Sequence, residues 1–307
     1  MSKMILLTGG SGFLGSVVLK RLLQKEYRVF VPRSKQFDLT VRSEVNKVFD
    51  VVRPDVVIHL AAKVGGIGAN RENPGRFFYD NISMGINLVD ASREYGVDKF
   101  IHVGTVCSYP KNCPVPFKEG DLWNGFPEET NAPYGIAKKA IITMLEGYKK
   151  QYGLNSNVLL PVNLYGPGDN FKEESSHVIP AIIKKVYDAK EKGERKIVCW
   201  GTGDASREFL YVEDAASGIC ATLDNELDDP IPINLGGGGE ITIKRLVKII
   251  CEHLGYDGEI EWDSTKPDGQ PRRCLDTSRC KELLSWEPKV DFVTGIRETI
   301  AWYKRNR

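Results

Sequence analysis

Short apolar runs alternate with amphipathic stretches along the first half of the chain. The apolar runs predict β-strands at Met4–Thr8, Arg28–Val31, Val56–Ala61, Phe100–Gly104 and Asn157–Pro161. Between them, apolar residues recur with helical spacing, as in residues 15–25 and 41–52. Strands and helices that alternate in this way are typical of a parallel sheet covered by helices on both faces. The pattern therefore predicts an α/β fold with a doubly wound parallel sheet.

The pattern becomes irregular after about residue 165, where glycine, proline and long polar connections are more frequent. One further strand and helix are predicted at Ile231–Leu235 and Thr242–Leu254. We therefore expect two interleaved domains. Residues 1–165, with about 210–255, would form a cofactor-binding domain, and residues 166–209 and 256–307 a smaller, mixed α/β substrate domain.

The charge balance and the termini restrict the classes of partner. The chain has 307 residues, with 42 Lys and Arg against 41 Asp and Glu, so it has no overall basic field for nucleic acid or an anionic membrane. It begins directly with a strand, without a signal peptide, and no apolar run approaches the roughly 20 residues that span a bilayer. We expect a cytoplasmic protein without nucleic-acid or membrane partners.

The seven cysteines are odd in number, form no CxxC pair and do not cluster with the four histidines. Such scattered cysteines are typical of reduced cytosolic thiols rather than of a disulfide framework or a zinc site. We therefore expect no metal site, and any special cysteine must be identified from its neighbours.

Three glycines follow the first strand and open a helix, in the run Thr8–Gly15. Glycine permits a tight turn and lets the backbone approach a pyrophosphate, while the helix N-terminus offers free N–H groups to the phosphates. In this strand–turn–helix context the motif predicts a Rossmann-type dinucleotide site. The residues expected at the cofactor are Gly9, Gly12, Phe13, Leu14 and Gly15.

The end of the second strand predicts which dinucleotide is bound. An NAD site usually has an acidic residue there for the ribose hydroxyls, whereas this chain has Arg33, Ser34 and Lys35. Two cations and a hydroxyl suit a 2′-phosphate, so we expect NADP(H). The alternative is an ordinary solvated basic loop. Further residues expected to border the cofactor are Asp38, Leu39, Leu60, Ala61, Ala62 and Lys63.

Tyr134 and Lys138 are spaced i and i+4, which places both on one face of a helix. A tyrosine titrates near 10 in water, and a nearby ammonium, together with the charge of an oxidised nicotinamide, would lower its pKa. Thr105, just after the fourth predicted strand, supplies a hydroxyl for the substrate oxygen. Such a pair alone is common on helix surfaces, but together with the glycine motif it predicts an oxidoreductase site.

The chain resembles the extended short-chain dehydrogenase/reductase superfamily and, within it, the epimerase/reductases that convert GDP-4-keto-6-deoxy-D-mannose to GDP-L-fucose. The resemblance runs almost from end to end. Besides the two general motifs, it is carried by residues 62–67, Cys107–Lys111, Asn163–Pro167, Asp169–Phe171, Ser176–Pro180, Trp200–Gly203, Arg207–Phe209 and Lys266–Gly269.

This resemblance implies that Cys107 and His177 invert carbons 3 and 5 of the sugar, with Cys107 as the base and His177 as the acid. The sequence leaves that order open, and the alternatives are a small buried cysteine and a packed loop histidine. It also implies cofactor contacts from Tyr134, Lys138, Pro161, Asn163, Leu164 and His177. Candidate contacts to the GDP-sugar are Asn163, Lys185, Trp200, Arg207, Lys266, Asp268 and Arg272.

The resemblance further implies a homodimer, in which the helix beginning near Tyr134 and the helix around Ile82–Tyr95 form a four-helix bundle with their symmetry mates. The chain departs from the family's Ser-Ser-Cys-Ile-Tyr-Pro run, since it has Thr105, Val106, Cys107 and Ser108 at the first four positions. Threonine keeps the hydroxyl, but the neighbours of the cysteine differ. A GDP-linked heptose or a colitose precursor therefore stays open as substrate, as do a single activity and a non-catalytic NADP-binding role.

Overall fold

Six strands form one parallel sheet at the centre of the protein. The structure is a computed structural model, and it describes residues 2–65, 67–172, 175–225, 227, 229–266 and 268–307. The strand order is β2-β1-β3-β4-β5-β9, and every neighbouring pair is parallel. These strands are β1 Met4–Thr8, β2 Arg28–Phe30, β3 Val56–His59, β4 Lys99–Val103, β5 Ser156–Pro161 and β9 Pro232–Leu235. The predicted doubly wound Rossmann-type sheet is confirmed, with strand ends that differ from the predicted ones by at most two residues.

Helices cover both faces of this sheet. Helix α1 packs against α7 on one side, and the long helices α4 and α5 pack against each other on the opposite side. The helices are α1 Phe13–Gln24, α2 Arg42–Val52, α3 Ile67–Glu72, α4 Pro74–Glu94, α5 Ala132–Tyr152, α6 Val178–Glu191, α7 Val212–Asp224, α8 Ile243–Leu254, α9 Ser278–Leu284 and α10 Phe292–Asn306. Among the described residues, no helix has the length and apolar character needed to cross a bilayer.

A second group of strands surrounds β8 beside the large sheet. Strand β8 pairs in parallel with β6 and β12 and antiparallel with β10, while β7 and β11 form a separate parallel pair. These strands are β6 Asn163–Tyr165, β7 Lys196–Trp200, β8 Ser206–Tyr211, β10 Glu240–Thr242, β11 Glu259–Asp263 and β12 Arg272–Arg273. Mixed strand directions were expected here, and they are present.

The buried residues form two hydrophobic cores, and these divide the chain into shorter alternating segments than the predicted domains do. Helix α8 was assigned to the cofactor domain, but its apolar face packs with α6 and α10 in the second core. Conversely, the segment 275–286 was assigned to the substrate domain, whereas its buried side chains pack in the first core. The interleaving follows from β8, which lies between the cores and pairs with strands from three distant parts of the chain.

Candidate active site

The glycine turn after β1 is packed so closely that side chains would not fit. Gly9 has a φ of 73°, and a Cβ atom on it would lie 2.7 Å from the Ala61 backbone nitrogen. A Cβ atom on Gly15 would lie 2.0 Å from the Gly9 carbonyl oxygen. Gly12 caps α1 without a side-chain hydrogen bond, so the first N–H groups of the helix point to a bare backbone surface. This cradle fits the diphosphate of a dinucleotide.

The cradle lies where the strand order reverses, between β1 and β3. In an open parallel sheet, ligands bind in the crevice at the carboxyl ends of the strands at such a switch point. The segment after β3 lines this crevice, because the Ala61 nitrogen donates to the Thr8 hydroxyl over 3.3 Å. Leu60 and Ala62 flank it and are half-buried, while Lys63 is exposed and its backbone is held by the Asn81 amide.

Some of the residues predicted near the adenine end of the cofactor are exposed, and the others have contacts within the protein. Arg33, Ser34 and Lys35 are all exposed after β2, and none of the described carboxylates lies within salt-bridge distance of either cation. Asp38 instead accepts hydrogen bonds from the Thr40 backbone and hydroxyl, which lowers the pKa of its carboxyl. Leu39 is buried in the first core, so any contact with a cofactor would come from its backbone.

Tyr134 and Lys138 lie in the first two turns of α5, and both side chains are buried. The Tyr134 phenol forms a hydrogen bond with the side chain of Thr105, which follows β4. The Lys138 ammonium donates to the Val103 carbonyl at the end of the same strand, over 3.0 Å. The structure thus brings the three residues of the predicted reductase site together.

The protein's own groups raise the pKa of Tyr134, and its lowering by Lys138 together with an oxidised nicotinamide stays a prediction. Burial of the phenol and the adjacent Cys107 thiol raise the pKa of Tyr134, and the hydrogen bond with Thr105 opposes them only in part. Burial also lowers the pKa of Lys138 to about 7, so near neutrality its charge is only partly present. The sequence could not show that the pair is desolvated so completely.

Cys107 is fixed beside these residues by a short 3-10 helix, residues 106–108. Its backbone nitrogen donates to the Thr105 hydroxyl oxygen over 3.2 Å. Its carbonyl oxygen lies so close to α5 that a Cβ atom on Gly135 would approach it to 2.3 Å. Val106 and Ser108 are both buried, and the Ser108 hydroxyl donates to the Gly135 carbonyl. The two residues on either side of Cys107, which differ from the family's Ser-Ser-Cys-Ile-Tyr-Pro run, are therefore inside the protein.

A residue that the sequence reasoning missed contacts the Cys107 thiol. Arg273 in β12 places its Nη1 atom 3.8 Å from Cys107 Sγ. The predicted Arg272 instead forms an ion pair with Glu240, through a 2.9 Å bond from Nε among others. Successive residues of a strand point to opposite faces. Strand alternation in the pair Arg272–Arg273 was the only available signal that just one of them reaches the site.

His177 lies at the start of α6 and is exposed to solvent. The atoms that crowd around its imidazole nonetheless lower its pKa from the usual value by desolvation. The imidazole forms no hydrogen bond with any of the described residues, so its pairing with Cys107 stays a prediction.

The predicted contacts to the nucleotide end gather on the loops after β7 and before β12. Trp200 is 68% exposed, and the Lys266 ammonium lies 5.8 Å from the centre of its ring. Asp268 accepts hydrogen bonds from the Thr202 backbone and hydroxyl, so its carboxylate fixes the loop. Lys185 reaches the same strand end by donating to the Val198 carbonyl over 2.6 Å.

Arg207 lies between this cluster and Arg273. Its guanidinium donates only to carbonyl oxygens, among them that of Asp268 at 3.1 Å. Burial and the nearby charge of Arg273 lower the pKa of Arg207 to about 10. The Arg207 guanidinium, which has no described carboxylate within salt-bridge distance, is a site for an anion, as a diphosphate would require.

The remaining predicted residues have structural contacts. The Asn163 amide nitrogen donates to the Glu208 carbonyl over 3.0 Å, which leaves its oxygen for a ligand. Pro161 ends β5, and Leu164 in β6 packs against the first core. In the described part of the chain, no group of three or more His, Cys, Asp or Glu residues could hold a metal ion.

Glu208 is a second residue that the sequence reasoning missed, and its side chain holds together the segments that carry the site. It is 1% exposed, and its carboxylate accepts hydrogen bonds from the backbone nitrogens of Gly237, Gly238 and Leu275 at 2.8, 3.1 and 2.7 Å. This one side chain therefore ties β8 both to the loop after β9 and to the chain that follows Arg273. The motif Arg207–Phe209 pointed to the position, but not to this role.

Comparisons with known proteins agree with this geometry. The model of the NAD dependent epimerase/dehydratase family matches residues 5–236. The chain is 40% identical to a probable GDP-L-fucose synthase 1 of Oryza sativa subsp. japonica over 98% of this chain and 92% of the relative.

Two solved structures superimpose over nearly the full length. A GDP-6-OMe-4-keto-L-xylo-heptose reductase from C. jejuni has a TM-score of 0.92 at 26% identity, covering 100% of this chain and 99% of the other. A GDP-L-fucose synthetase from Naegleria fowleri bound to NADP has a TM-score of 0.89 at 28% identity, covering 99% and 94%. The chain belongs to the NAD dependent epimerase/dehydratase family.

Proposed function

We propose that the protein uses NADP(H) to convert GDP-4-keto-6-deoxy-D-mannose to GDP-L-fucose, by inverting carbons 3 and 5 and then reducing the ketone at carbon 4. The observation that carries the proposal is the single hydroxyl of Thr105, which bonds both the Tyr134 phenol and the Cys107 backbone. In this proposal the groups for both reactions surround one position for a carbonyl oxygen. The likeness to GDP-L-fucose synthases over the whole chain supports the choice of sugar.

In the epimerisation, the ketone acidifies the neighbouring carbons because the resulting carbanion is an enolate. The Cys107 thiolate removes the proton, and the electron pair moves to the ketone oxygen, where Thr105 and Tyr134 stabilise it by hydrogen bonds. His177 returns a proton to the opposite face of the same carbon. The Cys107 thiol then loses its proton to solvent and His177 takes one up, so that the reaction can repeat at the second carbon.

In the reduction, Tyr134 and Thr105 hold the same oxygen. NADPH, when bound, supplies the hydride for carbon 4. Tyr134 donates its proton to the oxygen as negative charge develops there, and Lys138 would position the nicotinamide ribose beside it. The exposed Arg33, Ser34 and Lys35 would bind the 2′-phosphate, and the N-terminus of α1 the diphosphate of the cofactor.

At the other end of the substrate, Arg207 would bind the diphosphate of the GDP moiety. Trp200, Lys266 and Lys185 would line the approach to the nucleotide, and the Asn163 oxygen would accept a hydrogen bond from the sugar. In this proposal the carboxylate of Asp268 holds the loop rather than the ligand. Arg272, which is occupied by Glu240, contributes at most a distant charge.

The test is product analysis by NMR in deuterated water with GDP-4-keto-6-deoxy-D-mannose and NADPH. We expect GDP-L-fucose that carries deuterium at carbons 3 and 5 and protium from NADPH at carbon 4. A reduced product that keeps the manno configuration and carries no deuterium would contradict the epimerase half. No NADPH oxidation with this sugar would contradict the whole proposal.

A second candidate is the same chemistry on a GDP-linked keto-heptose or on a colitose precursor. The likeness to the C. jejuni heptose reductase favours the first of these. Presenting all three keto sugars at equal concentration and comparing kcat/KM decides between them. A preference of more than about tenfold for a heptose, or about 1.4 kcal/mol in transition-state binding, would make it the substrate.

We also propose a cytoplasmic homodimer. Phe78, Tyr79 and Ile86 of α4 are exposed, and α4 packs against α5. Two such helix pairs from two copies would cover this apolar surface as a four-helix bundle. Light scattering should then give twice the mass of the chain, and replacing Ile86 by Asp should shift the equilibrium to the monomer.

A further inference from the structure

Among the described residues, the charged group in hydrogen-bond contact with the Cys107 sulfur is Arg273, which belongs to a different sheet. Cys107 follows β4 of the central sheet, whereas Arg273 belongs to β12, which pairs with β8. Arg273 Nη1 lies 3.8 Å from Cys107 Sγ, within hydrogen-bond reach of a sulfur acceptor. Both residues are half-buried, so the contact is only partly screened by solvent.

The guanidinium of Arg273 is held by a neutral group rather than by a counter-ion. Its Nε and Nη2 atoms donate to the Gln270 side-chain oxygen over 3.2 and 3.1 Å. Gln270 is itself anchored, since its amide nitrogen donates to the Lys111 carbonyl over 2.8 Å. No carboxylate of the described residues lies within salt-bridge distance of Arg273, whereas its neighbour Arg272 is paired with Glu240. The charge of Arg273 is thus oriented towards the sulfur and left uncompensated.

We propose that Arg273 is a positioning residue for the epimerisation, which holds the Cys107 thiolate and stabilises its negative charge. The inference rests on the proposed function, because it assigns a partner to the base of that reaction. A cation beside a cysteine favours the thiolate, which is the form that can remove a proton. When Cys107 takes the proton from carbon 3 or 5, the electron pair passes into the enolate and the sulfur becomes a neutral thiol. Arg273 therefore acts through Cys107 and has no role in hydride transfer.

The position of Arg273 depends on a buried support. Two residues further along, the Leu275 nitrogen donates to Glu208, and β12 itself pairs with β8 at Ser206 and Arg207. These contacts fix which of the two consecutive arginines points to the thiol. The guanidinium carries its donors in one plane. Its Nε and Nη2 atoms bind Gln270, while Nη1 reaches the sulfur.

The test compares Arg273→Gln and Arg273→Lys with Arg305→Gln, an exposed arginine near the end of α10. The first readout is the rate at which iodoacetamide alkylates Cys107, followed by peptide mass spectrometry without substrate. We expect Arg273→Gln to lower this rate about tenfold, since the sulfur loses the cation that lies 3.8 Å from it and stabilises its negative charge as it reacts. Arg273→Lys should retain part of the rate, and Arg305→Gln all of it.

Two further readouts separate the thiol from the rest of the site. Deuterium incorporation at carbons 3 and 5, measured at saturating substrate, should fall in Arg273→Gln by about the same factor as the alkylation. Hydride transfer from GDP-L-fucose to NADP, measured at 340 nm in a single turnover, should stay within about twofold, because that step does not use Cys107. A residue with a merely structural role would change all three readouts together.

Each other outcome is decisive. Unchanged alkylation of Cys107 in a folded Arg273→Gln overturns the proposal, even if turnover falls, since the residue then acts on the substrate. If Arg273→Gln does not fold, Arg273→Met, which also removes the charge, decides in its place, and an alkylation rate equal to that of the unmodified protein overturns the proposal. If the unmodified protein incorporates no deuterium, the proposed function fails, while the alkylation rates still judge the interaction between Arg273 and Cys107.

Discussion

The groups that we propose for reduction and those that we propose for epimerisation are built in different ways. Thr105, Tyr134 and Lys138 all lie on α5 or directly after β4 of the central sheet, and two of them are one turn apart on a single helix. Cys107, in contrast, meets Arg273 across the boundary between the central sheet and the strands around β8, and His177 precedes α6, which packs in the second core. Reduction therefore depends on local geometry, whereas epimerisation depends on how the two parts of the molecule are aligned.

This difference indicates which amino-acid changes should affect epimerisation and reduction separately. A change that loosens the alignment should reduce proton transfer at carbons 3 and 5 before it affects hydride transfer. A change of Thr105 or Tyr134 should affect both. The hydroxyl of Thr105 belongs to both sets, because it bonds the phenol and fixes the backbone of Cys107.

The largest separation is expected from Cys107→Ser. A serine hydroxyl at this place is far less acidic than a thiol, so deuterium incorporation at carbons 3 and 5 should fall by about 10²- to 10³-fold. Single-turnover hydride transfer from GDP-L-fucose to NADP should change by no more than a few-fold. NMR and absorbance at 340 nm measure the two rates, and an equal loss in both would show that the two sets of groups are not separable.

An intermediate effect is expected from Glu208→Gln, which weakens the alignment itself. The carboxylate accepts three backbone N–H groups, and an amide in its place must direct an NH₂ group at one of them. The loss of a buried hydrogen bond to a charged group should lower the free energy of unfolding by about 1–3 kcal/mol. Urea unfolding measures this change.

Within the folded population of Glu208→Gln, deuterium incorporation should decrease more than hydride transfer. Glu213→Gln provides the control, because that residue is a partly exposed glutamate outside the site. If Glu208→Gln is as stable as the unmodified protein and retains both rates, Glu208 does not fix the position of β8 and β12 relative to the central sheet.

The smallest effect is a gain in stability from Lys138→Met, at the cost of activity. A buried lysine with its pKa lowered to about 7 destabilises the fold while it is protonated. Between pH 7 and 10 the unfolded chain binds more protons than the folded protein, so the stability of the unmodified protein rises with pH in this window. The variant lacks this dependence.

Lys138→Met should therefore be more stable by about 1 kcal/mol at pH 7, and its advantage should shrink towards pH 10. Denaturant unfolding at several pH values measures the difference. Lys150→Met, on the exposed face of the same helix, is the control and should show no such trend. An advantage for Lys138→Met that grows with pH would contradict the sign of the shift.

Much of the fold and part of the site could be predicted because their signals are local in the sequence. The alternation of strands and helices determined the sheet, and the spacing of Gly9, Gly12 and Gly15 located the turn whose backbone tolerates no Cβ atom. The i, i+4 spacing of Tyr134 and Lys138 likewise held in α5. Each of these patterns follows from the geometry of one element.

The rest depends on contacts between distant parts of the chain. Arg272 and Arg273 look equivalent in the sequence, and only the pairing of β12 with β8 decides which one points to Cys107. The raised pKa of Tyr134 could not be foreseen either, because it results from burial of the phenol and from the Cys107 thiol, which comes from a distant segment of the chain. The packing of α8 with α6 and α10 likewise joins segments that lie far apart along the chain, so no local pattern predicts it.

The most direct test of the account is Tyr134→Phe, assayed for both reactions in one sample of GDP-4-keto-6-deoxy-D-mannose and NADPH in deuterated water. If one hydroxyl pair holds the ketone oxygen in both stages, the variant should lose hydride transfer by about 10²- to 10⁴-fold and should also incorporate deuterium at carbons 3 and 5 at least about tenfold more slowly. Deuterium incorporation at the rate of the unmodified protein, together with lost reduction, would contradict the shared oxygen site.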